Sequence, residues 1–248
     1  MADPTSPVDR FLTVYGRKPV LEALGNPRLR IDKVLLADGA RGPQVDELVA
    51  AARDRQVPVR RVPARQVSRI SGNGRQDQGV VADVLAPGLR RLDDEVAASL
   101  DGPVLVLDGI TNPQNVGMIL RTAVAGGVAG VVVPRVGVAG LGPLVVKASA
   151  GVAFEAPVLR ADDAAGAVAR LRSAGFEVLG LSAARGRSLW DPRPFAERTA
   201  FVLGSESGGV TVAVDDRVSI PMAGEVESLN VAVAAGILCF ELLRRRVA

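Results

Sequence analysis

The run Leu203-Gly-Ser-Glu-Ser-Gly-Gly209, followed ten residues on by Ile220-Pro-Met-Ala-Gly-Glu-Val-Glu-Ser-Leu-Asn-Val231, decides how this chain is read. An apolar stretch, Thr199 to Leu203, ends in a small-residue turn that carries one carboxylate, Glu206. A second apolar strand, Val218 to Met222, breaks at Gly224, and Ser228-Leu-Asn230 then opens a long apolar helix reaching about Arg245. Glycine lets backbone approach a ligand closely, and exposed loop N–H and C=O groups can read the edge of an adenine. Neither segment matches a Rossmann or P-loop fingerprint.

Upstream lies Asp108-Gly-Ile-Thr-Asn-Pro-Gln-Asn-Val-Gly-Met-Ile-Leu-Arg-Thr122. Val104 to Leu107 reads as a buried strand, and the residues from Val116 onward as a helix with apolar positions at helical spacing. Asn115 stands where an N-cap is expected, and Arg121 falls about two turns into that helix.

Taken together, the three segments resemble the three motifs of the SpoU (TrmH-like) RNA 2′-O-ribose methyltransferases, members of the SPOUT class, which use S-adenosylmethionine. The matching positions are Asn115, Gly117 and Arg121, then Leu203, Gly204, Glu206 and Gly209, then Ile220-Pro221-Met222 with Ser228-Leu229-Asn230-Val231. Near the N-terminus, Val14-Tyr-Gly-Arg-Lys-Pro-Val-Leu-Glu-Ala-Leu24 and Gln78-Gly-Val-Val-Ala82 are similar to the two ends of the SpoU substrate-binding domain, an L30e-like RNA-binding fold. One position departs: relatives usually carry His before the Gln-Gly-Val-Val-Ala segment, and this chain has Asp77.

Composition narrows the chemistry independently. The 248 residues contain no histidine, which removes the usual general base and the commonest zinc ligand together. A Ser-His-Asp hydrolase, a Cys-His protease and an ordinary zinc site are thereby excluded, and no metal is expected. The lone cysteine, Cys239, lies in the apolar C-terminal helix and reads as a buried structural thiol of a cytoplasmic protein. The N-terminus lacks the basic start and apolar core of a signal peptide, and no apolar stretch reaches the roughly 18 residues needed to cross a bilayer. Residues 1–85 hold fourteen Lys and Arg against ten Asp and Glu, whereas 104–248 hold fourteen against thirteen. A basic, arginine-rich front suits phosphate contact; a solvated surface accounts for the same charges equally well.

The pattern divides into a flexible tail (1–10), an α/β module of about 75 residues (11–85), a linker with a short helix (86–103) and a parallel α/β domain with helices on both faces (104–248). In the front module helices are expected over Arg17–Leu24, Pro43–Arg55 and Ala64–Ile70, with strands over Ile31–Ala37, Val57–Val62 and Gly79–Val84.

The resemblance assigns roles. Arg121 is the catalytic group, favoured here for orientation and charge stabilisation, because a guanidinium stays protonated at neutral pH. Glu206 is placed near Arg121 and Asn115 to fix the arginine. Ser228 and Asn230 line the cavity near the reactive methyl, and Leu203, Gly204, Ile220, Met222 and Leu229 contact the cofactor. As plain residues, Asn115 and Ser228 can equally be N-caps, and Arg121 a solvated helix residue. Tyr15, Arg17, Lys18, Arg75 and Lys147 are candidate RNA contacts. Gly140-Leu-Gly-Pro-Leu-Val-Val-Lys147 mimics a phosphate loop without Walker spacing, and Arg244-Arg-Arg246 reads as a helix-end cluster.

The resemblance further implies a C-terminal trefoil knot threaded by Glu225–Val231 and a homodimer. Its expected substrate is a guanosine of large-subunit ribosomal RNA, for housekeeping or antibiotic resistance alike. A transfer-RNA methylase and a non-catalytic assembly factor on the same scaffold remain open at this point. A nicotinamide oxidoreductase is possible for a parallel α/β chain but fits far less well, since no G-x-G-x-x-G follows the first strand of the second domain.

Overall fold

The computed structural model describes residues 10–183, 186–223 and 227–247. Its contacts divide the chain into two compact units, one running to Pro87 together with Leu141–Pro143, the other from Gly88 to Gly140 and from Leu144 onward. The expected tail falls almost wholly outside the described residues. So does part of the expected knot segment, Gly224–Val226.

The first unit contains β1 (Phe11–Tyr15), α1 (Arg17–Gly25), β2 (Ile31–Ala37), α2 (Pro43–Asp54), β3 (Val59–Val62), α3 (Ala64–Ser71) and β4 (Val80–Leu85). The sheet order is β1-β4-β2-β3; β4 runs antiparallel to both neighbours, and β3 is parallel to β2. β1 is not among the strands expected from sequence, because its five residues are too short a run to separate from the helix that follows. Asp77, the departure from the family pattern, is buried in the turn before β4. Its carboxylate accepts from the Gly79 N–H at 2.8 Å and from the Ser71 hydroxyl at 3.0 Å.

The second unit contains β5 (Arg90–Arg91), α4 (Asp94–Ser99), β6 (Val104–Leu107), α5 (Pro113–Ala125), β7 (Gly130–Pro134), α6 (Pro143–Ala148), β8 (Val158–Ala161), α7 (Ala164–Ser173), β9 (Glu177–Ser182), β10 (Arg187–Ser188), β11 (Thr199–Leu203), β12 (Asp216–Ser219) and α8 (Val231–Val247). Its eight strands are all parallel, in the order β10-β12-β9-β11-β6-β7-β8-β5. From Gly88 on, the stretch expected as a linker belongs to this unit. The expected short helix is α4, and β5 adds an edge strand on β8. Leu92 donates its N–H to the Arg160 carbonyl at 2.8 Å, and the Asp93 carboxylate caps α4.

Burial follows the pleat. Val104, Val106, Val132, Leu159, Val178, Ala200 and Val202 pack with α4 and α7 on one face. The alternate residues Leu105, Leu107, Val131, Val133, Phe201 and Leu203 are equally buried and must face the other way. On that side α5 packs on β7, and α8 packs on α5. A strand buried on both faces reads as an unbroken apolar run, which is why Val104–Leu107 is legible in sequence.

Two close contacts fix the helices. A Cβ on Gly117 would lie 2.6 Å from both the Ala148 Cβ and the Val145 oxygen, so only glycine lets α5 meet α6 this closely. At the other end of α5, a Cβ on Gly126 would stand 2.7 Å from that of Cys239, which is fully buried, and burial pushes its thiol up to about 12. Arg244–Arg246 cap the structure rather than present a free cationic patch. Arg244 and Arg245 pair with Glu241 at 2.8 and 2.7 Å, and Arg246 donates to the Gly127 carbonyl at 2.9 Å. No helix among the described residues is long and apolar enough to cross a membrane.

Two outcomes follow from this packing. Gly117→Ala is expected to destabilise the protein by about 1–3 kcal/mol through overpacking, read as a lower urea midpoint at unchanged slope. The hydrogen bond from Arg244, with help from Arg245, holds the Glu241 carboxyl down at about 2. A depressed carboxyl contributes stability that is full above the ordinary glutamate range and is lost as pH falls toward 2. Urea midpoints measured from pH 6 downward should therefore drop less steeply for Glu241→Gln than for the wild type.

Candidate active site

The strand order reverses between β6 and β11: the chain builds outward through β7 and β8, then returns to the other side of β6. In open parallel sheets the crevice at such a switch, outside the carboxyl ends of the strands, is where ligands bind. A cavity of about 180 Å³ opens beside it, past the ends of β9, β11 and β12. Its walls are Leu181–Ala183, Leu203–Glu206, Gly209, Val210, Arg217, Ile220, Met222, Ser228, Leu229, Val231 and Ala234.

The loop after β11 is shaped by two devices. A Cβ on Gly204 would stand 2.0 Å from the Gly209 carbonyl carbon, so the turn closes on itself only with glycine there. Gly209 N–H donates to the Ser205 carbonyl at 2.8 Å, and Gly208 N–H to the Ser205 hydroxyl at 3.0 Å. From outside, the buried Asp108 carboxylate at the end of β6 receives the Thr211 N–H at 2.6 Å, the Thr211 hydroxyl at 2.9 Å and the Val212 N–H at 3.2 Å. Asp108 thus ties the loop's far end to the central strand. No role for Asp108 is expected from sequence, where its signal is a carboxylate ending an otherwise apolar strand.

Asn230 gathers the expected polar residues. Its Nδ2 donates to Asn115 Oδ1 at 3.1 Å and to Glu206 Oε1 at 2.8 Å, using both hydrogens. Its Oδ1 accepts from the N–H groups of Ala232 at 2.9 Å and Val233 at 3.3 Å. Asn230 is therefore the N-cap of α8, and the cap expected at Ser228 lies two residues too early. The residue is exposed, yet its amide is saturated.

The α5 cap shifts the other way. Asn112 caps it, accepting from Gln114 N–H at 2.9 Å, because Pro113 takes the first helical position. Asn115 is inside the first turn and buried. The strand expected over Val218–Met222 ends at Ser219, where Pro221, lacking an N–H, cannot extend the ladder.

Of the expected cofactor contacts, Leu203, Gly204, Ile220, Met222, Ser228 and Leu229 line the cavity, and Asn230 stands beside it through Glu206. Arg121 is not brought into this cluster. It is exposed on α5 and makes no hydrogen bond or ion pair among the described residues. Glu206 is held by Asn230 instead of by Arg121. Residues 181–183, Val210 and Arg217 were not anticipated; the ends of strands in a parallel sheet were the available clue.

In the first unit Tyr15, Arg17 and the 73–78 turn come together. The Tyr15 hydroxyl accepts from Asn73 Nδ2 at 3.1 Å, and the Arg17 N–H donates to Gln78 Oε1 at 2.9 Å. Lys18 and Arg75 are exposed nearby in sequence, and Lys147 is exposed on α6 of the other unit. No group of three or more His, Cys, Asp or Glu among the described residues could hold a metal ion.

A parallel α/β sheet with a mixed apolar and polar crevice at its switch point is the layout of a cofactor-dependent enzyme. The relatives make this specific. Residues 102–240 match the SpoU rRNA methylase family, and residues 13–88 match the RNA 2′-O ribose methyltransferase substrate-binding domain. An uncharacterized tRNA/rRNA methyltransferase of Mycobacterium ulcerans is 35% identical over 96% of this chain and 78% of its own length.

Among solved structures, a putative RNA methyltransferase of the TrmH family from Porphyromonas gingivalis superposes with a TM-score of 0.64 at 31% identity, covering 96% of this chain and 90% of that one. The SpoU methyltransferase AviRb from Streptomyces viridochromogenes, in complex with AdoMet, gives 0.62 at 25% identity, over 96% and 91%. The chain belongs to the SpoU family of RNA methyltransferases.

The double duty of Asn230 can be separated. Asn230→Ser keeps a cap but loses the amide donors, so thermal stability should stay close to wild type while methyl transfer falls. Asn230→Ala should lose about 1 kcal/mol of stability as well. Thermal unfolding and transfer assays on both variants test this.

Proposed function

We propose that this protein is an S-adenosylmethionine-dependent RNA 2′-O-ribose methyltransferase acting on a guanosine of large-subunit ribosomal RNA. The observation that carries the reading is the Asn115–Asn230–Glu206 hydrogen-bonded cluster, built from one residue of each motif, at the edge of the cavity. The front unit, matching a ribose methyltransferase substrate-binding domain, supports an RNA substrate and the 2′-hydroxyl as acceptor.

The cavity's residues fit the cofactor. Leu203, Val210, Ile220, Met222 and Leu229 offer apolar walls for a purine, and the peptide groups of Met222, Ser228 and Leu229 lie outside helix and strand. Glu206 and Arg217 supply one charge of each sign to a ligand that carries both. When bound, S-adenosylmethionine supplies a methyl on a sulfonium, activated toward an oxygen nucleophile. The chain's own work is alignment and charge. Arg121, lacking a protein partner among the described residues, is available to orient the ribose hydroxyl and stabilise negative charge on its oxygen. Asn230 keeps Glu206 and Asn115 fixed.

The proposal extends to an L30e-like front domain with Tyr15, Arg17, Lys18 and Arg75 as RNA contacts, joined by Lys147, and to a C-terminal trefoil knot. The insertion of β11 between β9 and β6 is consistent with that knot. It also includes a cytoplasmic homodimer. Met118 on α5 and Val233 and Phe240 on α8, each 40% exposed or more, provide an apolar surface for pairing.

The test is transfer of labelled methyl to unmodified ribosomal and transfer RNA, with nucleoside analysis of the product. A 2′-O-methylguanosine in large-subunit RNA is expected. Arg121→Ala should retain cofactor binding while kcat falls by about 10²–10³. A product in transfer RNA alone would redirect the substrate assignment, and absence of cofactor binding would leave a scaffold.

A further inference from the structure

We propose that Trp190 is a stacking platform for a nucleobase of the RNA substrate, held beside the cofactor cavity by an arginine-braced turn. The inference rests on the reading of the chain as an RNA methyltransferase and adds a substrate contact outside the three motifs and outside the front unit.

Trp190 is the chain's single tryptophan, and its indole is 49% exposed. It follows β10, at the carboxyl end of the same sheet that opens into the cavity. Leu189, immediately before it, is fully buried and donates its N–H to the Ser219 carbonyl at 2.8 Å. Ser219 directly precedes Ile220, a cavity wall. Trp190 thus follows a residue whose N–H is bonded to the neighbour of a cavity wall.

The turn is rigid. The Trp190 N–H donates to the Ser188 hydroxyl at 3.1 Å, and the Asp191 N–H to the Ser188 carbonyl at 3.0 Å. Arg245 reaches across from α8 to the carbonyls of Asp191 at 2.7 Å and Arg193 at 2.9 Å. Arg187 donates to the carbonyls of Arg193 and Pro194. Both guanidinium groups lie over the Phe195 ring, at 4.4 and 5.0 Å from its centroid. Every element of this frame is tied down, yet its largest apolar side chain points to solvent.

A fixed indole presents a wide flat face at little entropic cost, and every base has a π-face to meet it. The charge around it selects the partner. Arg187 and Arg193 share one carboxylate, Asp191, at 4.0 and 2.7 Å, which leaves the turn with one cation in excess, and the Arg193 side chain is 72% exposed; Arg245 is paired with Glu241 at 2.7 Å. A cationic frame around an exposed aromatic suits a polyanion with stackable bases.

The experiment uses the full-length protein with in-vitro-transcribed, unmodified large-subunit ribosomal RNA and transfer RNA. Because Trp190 is the single tryptophan, fluorescence excited at the red edge, where Tyr15 does not absorb, reports on this indole only. Quenching on addition of RNA is expected. Trp190→Ala should raise KM for RNA by about tenfold, with kcat and cofactor binding nearly unchanged, and Trp190→Phe should recover most of the loss. The inference is overturned if the wild type methylates RNA while its fluorescence does not respond and Trp190→Ala kinetics match it. It is equally overturned if Trp190→Ala sediments as a smaller species, which makes the indole a contact between copies. A wild type that neither binds nor methylates either RNA removes the functional reading, and this inference with it.

Discussion

The amide of Asn230 is the joint on which the site turns. Its two hydrogens and its oxygen bind three places far apart in sequence: the first turn of α5, the loop after β11 and the first turn of α8. Nothing in that amide is spare. Asn115 and Glu206 therefore cannot move independently of each other or of the helix that Asn230 starts. A carboxylate at 230 would keep the cap but face Glu206 with like charge; an apolar residue would release all three segments. Individual hydrogen bonds of this kind contribute only about 1 kcal/mol each. Their value is in fixing geometry, which a transfer reaction needs to within fractions of an ångström.

In a chain without histidine, arginine takes over much of the work of closing loops and helix ends. Arg55 donates to the carbonyls of Ala23, Leu24, Asn26 and Leu29, closing the end of α1 and the loop beyond it. Arg61 does the same for the turn after β2, and Arg198 for the end of α4. The guanidinium fork can reach several carbonyl groups at once, which an ammonium does less well. Charge counts therefore overstate the cations free to meet RNA. The excess in residues 1–85 includes Arg55 and Arg61, both committed to backbone. Arg244–Arg246 are committed too. Exposure and partners, rather than composition, separate Lys18 and Arg75 from those structural arginines.

Much of the architecture was legible because burial writes itself into sequence. Val104–Leu107 and Thr199–Leu203 are buried on both faces and read as uninterrupted apolar runs. The motif glycines were legible for a similar reason: Gly117 and Gly204 stand where any Cβ would collide. Two features were hidden by competition between equivalent signals. Two asparagines three residues apart compete to cap α5, and only the proline between them decides. Ser228 and Asn230 compete likewise for α8, settled by tertiary bonds to Asn115 and Glu206. The edge strand β5 is two arginines, with no apolar pattern to betray it, and exists only because β8 lies alongside. Pairing of Glu206 with Asn230 rather than Arg121 could not be read from spacing, since it depends on where three loops meet.

The parallel sheet also sets an order of events. Its central strand β6 pairs with β11, made almost a hundred residues later, and the loop after β11 is then fastened by Asp108, which lies at the end of β6. During synthesis the chain emerges from the ribosome with β6 to β8 and α5 already available, but with one flank of β6 bare. Pairings so distant in sequence form slowly, and until they form an apolar strand edge is open to wrong partners. Of the three residues in the polar cluster, Asn230 is the last to be made. The cluster of Asn115, Glu206 and Asn230 can therefore close only once α8 has docked.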